Sequence, residues 1–139
     1  DQLVYASRGV MTVRTEDGTW VVPTHRAVWI PAKVPHRITM SGAVAMRTLY
    51  LRPRLSRYLP RQCCVVSVSP LLRELILRAC TVGKLSHRDA RQRHLSAIIL
   101  DELERLPTVP LQLPNPIHQV ARATPSFIIS PSIWPAYKP

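Results

Sequence analysis

Apolar and polar positions alternate in short runs over the first half of the chain and recur at helical spacing over the next third. Gln2 to Ala6 (QLVYA) and Val10 to Arg14 (VMTVR) each read as a strand, with Ser7-Arg8-Gly9 as the turn between them. Glu16-Asp17-Gly18 is a hairpin turn in which Gly supplies the positive φ that Asp-Gly loops need. Trp20 to Pro23 follows as the partner strand. The run from Trp20 to Leu51 then breaks into the apolar segments Ala27 to Ile30, Ile38 to Met40 and Val44 to Leu51, set apart by Pro23, Pro31, Pro35 and the Ser41-Gly42 pair. Proline lacks a donor and fixes φ, so it belongs at strand ends and turns. Leu51 to Arg61 carries Arg52, Arg54, Arg57 and Arg61 with no clean period and reads as a basic connecting loop; Val65 to Ser67 is a last short strand. Short runs of this kind with turn signals between them predict a small antiparallel barrel or sandwich.

From Ser69 the period changes. Ser69 is a helix N-cap with Pro70 at the first helical position, and Leu71, Leu72, Leu75, Ile76 and Ala79 follow at helical spacing up to a stop at Gly83. Ser86-His87-Arg88-Asp89 opens a second helix. Its stripe, Leu95, Ile98, Ile99, Leu103 and Leu106, predicts a helix of about five turns. Two such helices joined by a short loop form an antiparallel hairpin whose apolar stripes bury against the barrel, a partner chain, or both. Past Leu106 proline is dense enough to prevent a helix, so residues 107–116 read as a linker and the rest as a tail of low order. The predicted organisation is a β unit over 1–68, dimerisation helices over 69–106, and a Pro-rich linker and tail over 107–139.

Composition narrows the class. A chain of 139 residues with 46% hydrophobic content is one soluble domain's worth of material. No apolar run approaches the ~20 residues of a membrane helix, so no membrane partner is expected. The chain carries 19 Lys+Arg against 8 Asp+Glu, formally +11. That balance fits an Arg-rich solvated surface, or proximity to nucleic acid through this chain or an attached domain. Three cysteines, two of them adjacent as Cys63-Cys64, form neither a disulfide framework nor a spaced metal site. Cys63 and Cys64 open the apolar run CCVVSV and read as buried strand thiols, in a reducing, cytoplasmic setting.

Candidate chemistry is sparse. No Ser/Cys-His-Asp constellation assembles, Gly totals four so there is no phosphate loop, and His87 and His94 lie two helical turns apart. No catalytic residue, metal or cofactor is expected. His36 is the informative residue: a Pro-bounded turn, PAKVPH, delivers it to a strand start. Alternation then places Ile38 and Met40 on its face as a mostly apolar pocket wall. The pattern does not decide which parity of Val44 to Leu51 faces inward.

These segments resemble known ones. Pro31 and His36 match the second motif of the cupin barrel, with His25, Lys33 and Met40 where that motif has Gly, Gly and Asn. Gln2 and Gly9 match the Glu and Gly spacing of its first motif, with Gln in place of a metal-binding Glu. AVWIPAKVPHRI, SPLLRELILRA and RHLSAIILDEL, in that order, resemble the N-terminal sensory part of AraC-family transcription regulators, over Gln2 to about Pro116. The resemblance implies a mainly β fold, a cupin-like (RmlC-like) antiparallel barrel followed by an α-helical hairpin, with some N-terminal strands upstream. It implies an unidentified small-molecule effector bound near His36, Gln2, Ile38 and Met40. It also implies a homodimer through Leu95, Ile98, Ile99, Leu103 and Leu106. DNA would be bound by a helix-turn-helix domain that the 33 residues after Leu106 are too few to form. The alternatives are a metal-dependent cupin enzyme, such as an oxygenase or isomerase, or an inactive truncated fragment.

Overall fold

The computed structural model describes residues 1–106 and 108–109. Its elements run β1 (Gln2–Arg14), β2 (Thr19–Val22), β3 (Arg26–Ile30), β4 (Arg37–Tyr50), β5 (Cys64–Ser67), α1 (Pro70–Val82), α2 (Ala90–Glu104) and β6 (Thr108–Val109). β1 is the hub. One edge pairs with β4 along nearly its whole length, and the other takes β3 against residues 2–5 and β2 against residues 11–14, all antiparallel. β5 then pairs with β3, and β6 with β5.

The sheet is curled, and the register proves it. Gln2 lies beside Ile30, and Arg14 lies beside Arg37. The twelve steps from residue 2 to residue 14 would cover ~40 Å in a straight strand. The seven steps from Ile30 to Arg37 reach at most ~25 Å, and the two sideways strand spacings add only ~10 Å. The connection is shortened further by a turn in which Val34 N donates to Pro31 O at 3.3 Å. β1 and β4 therefore bend over the inner face, a half-barrel followed by two helices.

The bend has a local cause that differs from the sequence reading. Ser7-Arg8-Gly9 is not a turn between two strands, because β1 runs straight through it as an irregular stretch of ladder with shifts at Ala6/Arg8 and Arg8/Val10. Ser41-Gly42 likewise lies inside β4. Gly9 and Gly42 take φ of 79° and 71°, which suits either a turn or a bulge. A Cβ on Gly9 would stand 2.7 Å from Ala43 O, so only glycine lets the two backbones approach there. The inserted residue also flips parity: Val4 and Ala6 face inward before it, Met11 and Val13 after it. The hairpin turn is where it was expected, closed by Thr15 N to Gly18 O at 2.9 Å, but Gly18 does not adopt a positive φ. Asp17 N instead donates to Thr15 Oγ1 at 3.1 Å, a side-chain bond that fixes the turn locally.

Each face of the sheet has its own core. Val4, Met11, Val13, Trp20, Val28 and Ile30 pack on the inner face. Leu3, Tyr5 and Trp29 on the outer face meet Leu72 and Ile76 of α1 and Ile99 and Leu103 of α2. The helices begin and end where their caps dictate. Leu72 N donates to Ser69 Oγ at 3.0 Å, Gly83 closes α1 at φ 80°, and the Asp89 carboxylate accepts from Arg91 N and Gln92 N. Ser69 also donates to Glu102 at 3.2 Å, tying the start of α1 to α2. α2 has 15 residues, nearer four turns than five. Thr108 and Val109, inside the expected linker, add an edge strand to β5; the rest of the linker and the tail lie outside the described residues.

Candidate functional site

Register settles which side chains share the inner face. Ile38 stands opposite Val13 and Met40 opposite Met11, both inner-core residues; Gln2 stands opposite Ile30. The open parity of Val44 to Leu51 is settled too: Met46 packs inward and Leu49 packs toward the helices. Gln2, Ile38 and Met40 therefore line one concave surface. Gln2 lies at one end of the β1–β4 ladder and Ile38 near the other, and the curl folds those ends toward each other.

The floor of this surface is buried, and the rim is exposed. Met11, Val13 and Val22 are fully buried, Ile38 and Gln2 are half-buried, and Met40 is 45% exposed. His36 lies just outside β4, exposed, with Nδ1 donating to Val34 O at 3.0 Å. In the turn before it Lys33, standing where the cupin motif has glycine, takes φ 69°. That conformation holds a side chain in the left-handed region, which is costly for a residue with a Cβ.

The outer face carries an open cleft that the sequence reading did not find. It has a volume of about 780 Å³ and lies between the end of β4, the loop after it, and the helical hairpin. Leu49, Leu51, Leu55, Ile99 and Leu100 supply apolar walls, while Arg52, Lys84 and His87 stand at the mouth. The loop is anchored rather than loose. Leu59 is buried, Trp29 Nε1 donates to Pro60 O at 2.8 Å, and Ser56 donates its hydroxyl to the Asp1 carboxylate. Its four arginines all point to solvent, Arg57 over the Tyr58 ring at 4.6 Å, and only Arg52 reaches the cleft.

The apolar stripe of α2 divides. Ile99 and Leu103 are core residues, Leu95 and Leu106 pack at the edge of the same core, and Ile98 is 44% exposed. Cys63 lies just before β5 and Cys64 opens it, and both are half-buried where full burial was expected. Burial, aided by the Asp17 and Cys64 charges, pushes Cys63 up to about 11, and burial pushes Cys64 up to about 11, so both remain thiols at neutral pH. Among the described residues no three His, Cys, Asp or Glu side chains stand close enough to hold a metal ion. No helix among them is long and apolar enough to cross a membrane.

Comparison with known proteins agrees with this architecture. Residues 2–105, from the first strand through the second helix, match the family described as AraC-like ligand binding domain. The chain is also 33% identical over 121 residues, 87% of its length, to the HTH-type transcriptional regulator NimR of Escherichia coli (strain K12). It spans 44% of the length of that relative.

Proposed function

The chain belongs to the AraC-like ligand-binding domain family, and from that premise we propose that it is the effector-sensing and dimerising portion of a transcription regulator. The observation that carries this reading is the match over residues 2–105, which takes in the curled sheet and the helical hairpin as one unit. The relative of similar sequence is itself named a helix-turn-helix transcriptional regulator. In this reading the chain binds rather than catalyses. A small effector binds on the concave inner face, with Ile38 and Met40 as apolar wall, Gln2 as a hydrogen-bonding group at the far end, and His36 as a polar group beside it. An apolar pocket with a few polar groups is the usual design of such sites. DNA is contacted by an attached helix-turn-helix domain, and the effector acts by favouring one arrangement of the attached domains over another.

Dimerisation belongs to the same proposal, through α2. Ile99 and Leu103 are committed to the subunit's own core, so the seam centres on Ile98, with Leu95 and Leu106 at its flanks. A symmetric helix contact places the same residue on both sides of the interface.

A thermal-shift screen of small metabolites against the purified chain tests the sensing role. A specific effector raises the melting temperature in a concentration-dependent way, and its effect is lost in Met40→Glu, while metal content stays at background. Stoichiometric iron, manganese or zinc in the purified protein would instead favour a cupin enzyme. Sedimentation of Ile98→Lys tests the seam: a folded monomer is expected, and a folded dimer of unchanged affinity would count against it.

A further inference from the structure

We propose that the cleft between the end of β4 and the helical hairpin is a second small-molecule site, built for an apolar anion such as an aromatic carboxylate and separate from the concave inner face. Its volume of about 780 Å³ falls within the ~300–1,000 Å³ typical of small-ligand pockets. Its walls come from two stretches far apart in sequence, the β4 end with the loop after it and the helical hairpin from the end of α1 through α2. Those segments are held in one frame by the core residues Ala79 and Ile99, which are 2% and 4% exposed.

Charge identifies the occupant. Sixteen residues line the cleft, and none is acidic, whereas Arg52 and Lys84 are permanent cations at its mouth with His87 beside them. Among the described residues neither Arg52 nor Lys84 has a carboxylate partner. The carbonyl end of α1 faces this region and opposes an anion, but Gly83 N already donates to Ala79 O at 2.9 Å, and Lys84 follows immediately. A carboxylate placed against Arg52 accepts two parallel guanidinium hydrogen bonds, and the apolar walls take up an aromatic body behind it. Net charge alone does not produce this arrangement. Arg54, Arg57 and Arg61 share the loop but line no part of the cleft.

Calorimetric titration of the full chain with naphthalene-2-carboxylate and with its neutral amide, at about 150 mM salt to screen diffuse charge, tests the proposal. The carboxylate should bind at least ~10-fold more tightly than the amide, and Arg52→Gln with Lys84→Gln should weaken it by a similar factor. Arg54→Gln with Arg57→Gln removes the same charge outside the cleft and should change affinity less than ~2-fold. All four side chains are exposed, so circular dichroism should be unchanged in both double variants. Equal weakening by the two double variants, equal binding of amide and carboxylate, or no heat at millimolar probe would each overturn the proposal. Loss of binding in Met40→Glu would place the probe on the inner face and overturn it as well.

Discussion

On its inner face the sheet closes by curling, and on its outer face it is covered by helices that come later in the chain. The inner core is made almost wholly of strand residues on β1, β2, β3 and β5, brought together by two irregularities in the β1–β4 ladder. The outer core needs Leu72, Ile76, Ile99 and Leu103 from the hairpin, and where the hairpin and β4 diverge an open cleft remains. The contrast is between burial set by backbone geometry and burial set by side-chain packing. Inside, a glycine decides the shape. Outside, helix side chains packed on the sheet decide it, and an open cleft remains beside them.

Truncation on the outer face should have the largest effect. Ile76→Ala removes a fully buried side chain from the helix–sheet seam and should cost about 3 kcal/mol of stability by denaturant unfolding. Ile98→Ala, on the exposed side of α2, should cost less than ~0.5 kcal/mol in a monomer. Comparable losses would mean that Ile98 is buried by a partner. On the inner face the matching test is glycine against glycine. Gly9→Ala should destabilise by ~2 kcal/mol or more, since left-handed strain is joined by a backbone collision with Ala43 O. Gly42→Ala meets nothing within 4 Å and should show only the strain, about 1 kcal/mol. Equal effects would show that the close approach at Gly9 does not shape the bend.

Smaller changes sharpen the picture. Lys33→Gly should stabilise the chain by ~1 kcal/mol, because it relieves a left-handed backbone at φ 69°; a loss of stability would mean that the lysine side chain makes a needed contact. The thiols give a pH signature. Cys63 and Cys64 ionise near 11 when folded, against an ordinary value of 9.0, so the unfolded chain loses these protons first. Stability contributed below pH 9 should therefore fall as pH rises from about 9 to about 11. Cys63→Ser with Cys64→Ser should flatten that slope in denaturant midpoints measured across the range.

Much of this was legible in the sequence where local chemistry decides the outcome. Ser69-Pro70, Asp89 and Gly83 mark helix ends because caps are satisfied within a few residues. The apolar runs marked the strands and both helices. Continuity was not legible. A glycine at positive φ serves a turn or a bulge equally well, and only the neighbouring strand shows that Ser7-Arg8-Gly9 and Ser41-Gly42 lie within single strands. Gly18 misled in the same way, because Thr15 closes that turn. Of the candidate site, Ile38 and Met40 were readable by alternation, while the cleft was not, since its walls come from segments that no spacing rule connects. The pairing of Thr108–Val109 depends on β5, some forty residues earlier.

Sensing on the inner face is the central claim, and amide chemical-shift mapping of the chain with an effector found by thermal shift tests it most directly. Perturbations should cluster at Gln2, at His36 to Met40, and at the facing residues Met11 and Val13. Perturbations confined to Leu49–Leu55 and Lys84–His87, with the inner face silent, would contradict the account and place sensing against the helices.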